Sequence, residues 1–593
     1  MPKPQVVRRA KDEKGTFKKF AASLKPYRFS ILFAAIFSAI SAFLSVFSPK
    51  ILGDMTTSAT TSLKETGAIS WPPIINLAIF LIIIYIISSI LGYAQSIIIA
   101  KATVKYTQSL REKIIIKIFH LPISYFDKHQ YGDTLSRISN DIDVIANSLS
   151  NSLTETITSL TTVIGILIMM LVISIPLSIV ALITVPLSLI FVGKVAKKAQ
   201  KFFSAERTTL GKLNNYIEED YSGLLVIKSN SHEPISTEQF NHINKTFYGH
   251  SWRSQFLSRL AFPITHIITN LGYIAVCVLG GYYTISGKIA IGGIQAFIQY
   301  VNQFNRPLTS VSEIIPSIQQ TLAAAERIFE LLDEPEEIAD LADAKTIKNI
   351  QGAVEFHNIN FSYVPEKEVI KNFSVKVEPG QQVAIVGPTG AGKTTIINLL
   401  MRFYDPNSGY ISIDDTPTKE MNRSDVRKLF GMVLQDTWLF SGTIEDNLRY
   451  GSPKATLDEI KKAAKIANID HYIEALNHGY KTMISEDSDN ISAGEKQLLT
   501  IARAIVANPP MIILDEATSN VDTRTEQLIQ DAFDKITKGR TSFIIAHRLS
   551  TIRNADLILV MKDGNIIEQG NHEQLLAKNG FYTELYNSQF SEK

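Results

Sequence analysis

From Thr156 to Gly193 the chain carries no charged residue over 38 positions, broken only by Ser174–Ile175–Pro176. Hydrocarbon offers a backbone no hydrogen-bonding partner, so a spanning segment must be helical, and about 20 apolar residues suffice to cross. This stretch predicts two membrane helices joined by a tight turn. Phe29–Pro49, Ile74–Ala100 and Leu260–Gly287 are also uncharged. Ile289–Asn305 is a sixth candidate, interrupted by Gln295, Gln299 and Gln303. The expectation is six spans, although length alone would suggest roughly four globular domains.

Basic residues orient the spans. Residues 1–28 hold Lys3, Arg8, Arg9, Lys11, Lys14, Lys18, Lys19, Lys25 and Arg28 against Asp12 and Glu13. Lys101–Lys128 and Lys194–Arg207 are also basic, whereas the loop expected over Gly53–Pro72 has only Lys64. By the positive-inside rule both termini are cytoplasmic. No small-residue cleavage site follows the basic start, so the first span reads as a retained helix. A net charge of +2 gives no reason to invoke nucleic acid.

The two inner connections, Lys101–Glu155 and Lys194–Arg259, place apolar residues at helical spacing, as at Ile114, Ile118, Leu121 and Leu135, Ile138, Ile142, Ile145. Membrane helices are expected to continue about 25 residues, some 37 Å, beyond the bilayer. Each pair turns at an apolar-aromatic tip suited to docking: Ile123–Ser124–Tyr125–Phe126–Asp127, and Asp220–Tyr221–Ser222–Gly223–Leu224–Leu225. A further helix through Ile318, Leu322, Ala325, Ile328 and Leu331 leads out of the sixth span. The acidic stretch Asp333–Lys348 then breaks the periodicity as a linker.

Beyond it, Gly387–Pro388–Thr389–Gly390–Ala391–Gly392–Lys393–Thr394 follows a strand-like run and precedes a helix-like one. That pattern in that context is a phosphate-binding loop. Successive backbone N–H groups and a helix N-terminus cradle a polyphosphate. Lys393 reaches the β/γ oxygens, and the Thr394 hydroxyl ligates Mg²⁺; Thr395 completes the nucleotide-binding set. Met511–Ile512–Ile513–Leu514 reads as a buried strand ending in Asp515 and Glu516, one carboxylate for the metal and one to polarise water. His547 follows another apolar strand, Gln435 follows Met432–Val433–Leu434, and Tyr363 precedes the loop.

This ordered set, with Ile491–Ser492–Ala493–Gly494–Glu495–Lys496–Gln497 before a helix, resembles the ABC transporter superfamily. The resemblance is to exporters that fuse six membrane helices to one ATP-binding domain, and it covers essentially the whole chain. The implied fold is a six-span α-helical bundle with long cytoplasmic extensions (29–332), a linker (333–348) and an α/β P-loop ATPase (349–593). The resemblance implies that Tyr363 stacks on adenine, and that Gln435 and Asp515 join Thr394 at Mg²⁺. Glu516 is then the general base, and His547 stabilises the γ-phosphate. Asp522 matches the family's loop across the dimer, and Glu486 the acidic segment facing the helix tips, although Asp487 and Ser488 depart from the usual pattern. The two tips match coupling helices, with the fourth and fifth spans crossing to the partner.

The signature loop is usually Leu-Ser-Gly-Gly-Gln, and here Ala493 and Glu495 depart from it. In the family this loop closes the opposite subunit's nucleotide site. A methyl at Ala493 restricts the backbone, and Glu495 sets negative charge near a polyanion. With Lys393, Glu516 and His547 intact, the asymmetry resembles one subunit of a bacterial heterodimeric exporter. The resemblance implies ATP-driven multidrug export across the cell membrane, with lipid or peptide export, then an ATP-gated channel or regulator, as alternatives. Cys277 lies alone in the fifth span. Gln95, His266, Asn270, Gln295 and Gln299 either line a substrate cavity or hydrogen-bond between helices.

Overall fold

The computed structural model describes residues 11–347, 349–434, 437–485, 491–515, 522–545 and 549–590. They form two compact units, Met1–His120 with His129–Pro335 and Leu121–Lys128 with Glu336–Lys593.

The first unit is helical. A short α1 (Glu13–Ser23) precedes α2 (Arg28–Val46), α3 (Ser48–Thr66) and α4 (Trp71–His120). After α5 (Ile123–Lys128), which belongs to the second unit, come α6 (Tyr131–Ser136), α7 (Ile142–Asn147) and α8 (Leu153–Ile173). Two π turns, Arg137–Asp141 and Ser148–Ser152, flank α7. The remainder is α9 (Ile175–Ser222), α10 (Leu224–Ser229), α11 (Glu233–Ile285) and α12 (Ile291–Asp333). Five helical runs among the described residues, ending at Thr66, His120, Ile173, Ser222 and Ile285, are long and apolar enough to cross a membrane; α12 is the sixth long helix. On α4, Ile79, Phe80, Ile82, Ile83 and Ile86 stay exposed, a surface that suits lipid and not water. The same helix continues unbroken past Ala100 to His120, as the helical spacing predicts.

Gly53–Pro72 is not simply a loop, because α3 occupies most of it. Thr56, Thr57 and Thr60 turn their hydroxyls back onto carbonyls four residues earlier, which satisfies them in a helix that propensity alone disfavours. Packing decides the outcome. A Cβ at Gly53 would meet the Gly292 carbonyl oxygen at 2.2 Å, and one at Gly292 would meet that of Gly53 at 1.6 Å. Only glycine lets α3 and α12 approach so closely. Thr56 also donates to Gln295, and Gln95 to Thr154 at 3.0 Å, so these two span glutamines do bond between helices. Around Val46, Ile166, Met170, Val276 and Phe297 lies the membrane unit's core, where the Tyr300 hydroxyl donates to the Val46 carbonyl at 2.7 Å.

The second unit is α/β. Strands β1 (Val354–Val364), β2 (Lys367–Val377), β4 (Ser408–Ile413) and β5 (Thr416–Pro417) make an antiparallel sheet in the order β2-β1-β4-β5. The other main sheet runs β12-β11-β3-β10-β9-β6, from β3 (Gln382–Val386), β6 (Phe430–Val433), β9 (Met511–Asp515), β10 (Thr541–Ile545), β11 (Leu557–Lys562) and β12 (Asn565–Gly570). All its neighbours are parallel except β12 against β11. Its inner strands β3, β10, β9 and β11 are largely apolar and buried, as expected where both faces are covered. Helix α13 (Lys393–Leu400) packs between the sheets, and α14 (Arg423–Lys428) lies beyond β5. A helical region holds α15 (Ile444–Arg449), α16 (Leu457–Ile466), α17 (Asp470–Ala475) and α18 (Ala493–Ala507), with α19 (Thr523–Thr537) after it.

Between α12 and β1 the acidic stretch forms no helix or strand among its described residues, yet it is held. Asp340 accepts from Arg423 at 3.1 Å, Asp405 accepts from the same guanidinium at 2.9 Å, and Glu337 accepts from Arg427 at 2.8 Å. Arg423 is only 8% exposed, so removing one acid would strand a buried charge.

Candidate active site

Parallel strands place the phosphate loop. Val386 ends β3, and α13 begins at Lys393, with Gly392 as its N-cap. The loop's glycines are needed for its conformation. Gly387, Gly390 and Gly392 take φ of 151°, 84° and 99°, where a Cβ is strained. A Cβ at Gly387 would also strike the Met561 carbonyl oxygen at 2.2 Å. The result is a concave loop opening on a helix N-terminus, which fits a polyphosphate. The Lys393 ammonium donates to the Gly387 and Pro388 carbonyls at 2.8 and 3.1 Å. Burial lowers its pKa, and the nearby Asp515 carboxylate pulls the other way. Thr394 is exposed, and Thr395 is buried beneath it.

Asp515 ends β9 opposite Ile545 of β10, which in turn pairs with Ile385 of β3. The register therefore brings Asp515 and the phosphate loop to the same carboxyl edge of the sheet, where open α/β sheets bind ligands. Glu516 and His547 come immediately and two residues after that paired Asp515–Ile545 position; with Gln435 and Glu486 they lie outside the described residues. Hydroxyl, carboxylate and phosphate oxygens are hard donors, the set Mg²⁺ takes.

Tyr363, 38% exposed near the end of β1, donates to Thr395 Oγ1 at 3.2 Å and accepts from Asn398 at 3.3 Å. Its ring meets that of Tyr404 edge-on at 5.0 Å. The Tyr404 hydroxyl donates to the Asp127 carboxylate on α5. Burial, and then Asp127, push the Tyr404 pKa up, so it stays a donor. A short path thus runs from the helix tip through Tyr404 and Tyr363 to the first turn of α13. On α5 itself Tyr125 is buried and Phe126 half-buried, whereas Leu224 and Leu225 on α10 are exposed.

Ser492 caps α18. Its hydroxyl accepts from the Glu495 N–H at 3.3 Å, and the Glu495 carboxylate accepts from the Ser492 N–H at 2.8 Å. This reciprocal box occupies Glu495 within its own helix turn. Tyr472 of α17 also bonds that carboxylate, and burial together with Glu495 pushes the Tyr472 pKa up to about 12. Ala493 is the first residue of α18 and Gly494 is buried, so the methyl sits in ordinary helical backbone. Asp522 caps α19 by accepting from the Thr525 N–H at 3.1 Å, which lowers its pKa.

The sequence motifs do not single out Arg503. From α18 it donates to the Asn447 carbonyl and side chain at 2.9 Å each and to the Trp438 carbonyl at 3.0 Å. Its guanidinium lies over Phe440 and Tyr450. It ties the signature helix to the segment following Gln435. Sequence reasoning likewise gives Tyr404, Asp127 and Tyr472 no role; Asp127 alone carries a signal, its place at the end of the first tip.

Six long helical runs among the described residues, fused to a P-loop α/β unit, define a membrane transporter powered by nucleotide. Residues 31–308 match the family of the ABC transporter transmembrane region, and residues 370–519 match the ABC transporter family. The chain belongs to the ABC transporters as an exporter half with membrane and ATP-binding parts in one polypeptide; such proteins hydrolyse ATP to drive transport. It is 47% identical over 502 residues to a fatty acid ABC transporter ATP-binding/permease protein of Mycobacterium tuberculosis, covering 85% of this chain and 79% of the relative. An ATP-dependent lipid A-core flippase of Syntrophus aciditrophicus is 32% identical, covering 89% and 87%. A putative multidrug export ATP-binding/permease protein of Bacillus subtilis is also 32% identical, covering 97% and 99%.

Proposed function

We propose that this chain exports amphipathic compounds across a bacterial cell membrane by alternating access, as one half of a heterodimer. Residues 1–28 form a basic cytoplasmic segment, 29–332 the membrane domain, 333–348 the linker and 349–593 the nucleotide-binding domain, with both termini cytoplasmic. The names of the relatives (fatty acid, lipid A-core and multidrug) support an amphipathic cargo and raise lipids beside multidrug substrates. Peptides remain the alternative cargo.

Within the ATP site, residues 387–395 hold the phosphates and Tyr363 meets the adenine. Thr394, Gln435 and Asp515 would hold Mg²⁺, which supplies charge neutralisation on the phosphate oxygens. Glu516 takes the proton of the attacking water, and His547 hydrogen-bonds the γ-phosphate. Ser492, Ala493, Gly494, Glu495 and Asp522 face the partner's nucleotide. The observation that carries coupling is the bond from Asp127, on a tip joined to α4, to Tyr404 beside Tyr363. Closure of paired nucleotide domains would move that tip and open the cavity outward; hydrolysis resets it.

The heterodimer rests on Glu495, since the Ala493 methyl sits in unstrained helical backbone. A carboxylate held at the N-terminus of α18 offsets the partial positive charge that would meet a γ-phosphate. A partner with an ordinary signature would complete this chain's site. Affinity purification from the native membrane, mass analysis and an ATPase assay test this. A second half-transporter is expected; a homodimer with robust, substrate-stimulated turnover would refute it. ATP-driven uptake into inverted vesicles tests export, and single-channel currents would favour a channel instead.

A further inference from the structure

The membrane unit holds a cavity of about 710 Å³ lined by α4, the second π turn, α8 and Ser310 of α12. Its walls are apolar over much of their surface but carry polar groups: Gln95 from α4, Ser150 and Asn151 from the π turn, and Thr154, Glu155 and Thr158 from the start of α8. Along α8, Glu155 lies about 27 Å from Ile173 at 1.5 Å per residue. The uncharged stretch along α8 begins at Thr156, directly after Glu155, so the cavity sits at the edge of a hydrocarbon core about 30 Å thick.

Polar and ionisable groups at that depth are costly unless they face water, protein or a ligand. The Ser148–Ser152 π turn interrupts the helix where the wall forms, and such bulges concentrate at functional sites. The Gln95 amide is engaged by Thr154 at 3.0 Å, and the Thr158 hydroxyl by Ser38 at 2.7 Å. These bonds stiffen the wall. Glu155 is exposed and, among the described residues, makes no hydrogen bond or ion pair. Among the described residues no lysine, arginine or histidine lines the cavity; Lys101, which follows the lining residue Ala100, lies outside it. An unpaired carboxylate among hydroxyls and amides attracts a cation and repels a carboxylate or phosphate.

We infer that this cavity is a head-group subsite for cationic amphiphiles, with Glu155 as the selecting charge. The inference rests on the exporter reading and narrows its substrate class. The test uses the purified full-length transporter, with its partner subunit where one co-purifies, in lipid nanodiscs. Equilibrium binding of tetraphenylphosphonium and of oleate is measured against empty nanodiscs for the native chain, Glu155→Gln, Glu155→Asp and Glu155→Lys. Glu155→Gln is isosteric, and size-exclusion profiles check that each variant folds. The Kd for tetraphenylphosphonium should rise about three- to fivefold in Glu155→Gln and stay within about twofold in Glu155→Asp, the ratio that an exposed, solvent-screened charge pair supplies. Oleate should bind Glu155→Lys severalfold more tightly than the native chain. No tetraphenylphosphonium binding by the native chain, an unchanged Kd in Glu155→Gln, or oleate preferring the native chain would each overturn the subsite. Uptake into inverted vesicles separates the two ideas. Glu155-dependent binding without ATP-driven uptake supports the subsite and removes export of such cations; uptake indifferent to Glu155 keeps export and overturns the subsite.

Discussion

Replacing Tyr404 with phenylalanine removes one oxygen and tests the path from helix tip to nucleotide. The lost hydrogen bond goes to the Asp127 carboxylate. Bonds to charged groups contribute about 1.5–3 kcal/mol when shielded, but this pair is exposed and solvent screening reduces it to about 0.5–1 kcal/mol. At RT of about 0.6 kcal/mol, the bonded state of the tip should become about two- to fivefold less populated relative to the released one. The phenyl ring left by the substitution would keep the edge contacts that the Tyr404 ring makes at 5.0 Å to Tyr363 and 5.5 Å to Phe361, so the position of Tyr363 should be undisturbed. In proteoliposomes, the KM for ATP should stay within about twofold while substrate moved per ATP hydrolysed falls about two- to fivefold. Asp127→Asn, which keeps an acceptor, should fall between the native chain and Tyr404→Phe. Full coupling in Tyr404→Phe would refute the path. So would a tenfold rise in KM with coupling intact, because that would assign Tyr404 to the nucleotide alone.

Three further outcomes are expected. Glu516→Gln should retain ATP binding and slow hydrolysis about 10²–10⁴-fold, the usual worth of a general base; near-native turnover with the partner present would remove Glu516 from that role. Gly387→Ala, whose Cβ would strike a backbone carbonyl at a φ of 151°, should abolish nucleotide binding in a trinitrophenyl-ATP titration while the ATPase unit stays folded by circular dichroism, and native affinity would refute the cradle. Gly292→Val should separate α3 from α12 and lower the melting temperature in detergent by several degrees, with losses of about 1–3 kcal/mol for overpacking; an unchanged midpoint would mean the two helices do not approach so closely.

By itself the sequence determined those features whose physics is local. Charge-free runs mark spans because a charge in hydrocarbon is costly residue by residue, and G-x-x-x-x-G-K-T marks the phosphate loop because its glycines serve the loop's own backbone. The tip at Ile123–Lys128 was legible for the same reason, as an apolar-aromatic break between helical periods. Helix α3 was not legible, since its serines and threonines read as a loop until the contact of Gly53 with Gly292, far along the chain, is known. The effect of Glu495 was only half legible. Its charge shows in the sequence, but its capping of Ser492 and its bond to Tyr472 require folded geometry. Tertiary structure alone paired Asp127 with Tyr404, Asp340 with Arg423 and Arg503 with Asn447. A periodic pattern records which face of an element is buried; it carries no record of which distant polar atom meets it there, because that is set by how the elements pack.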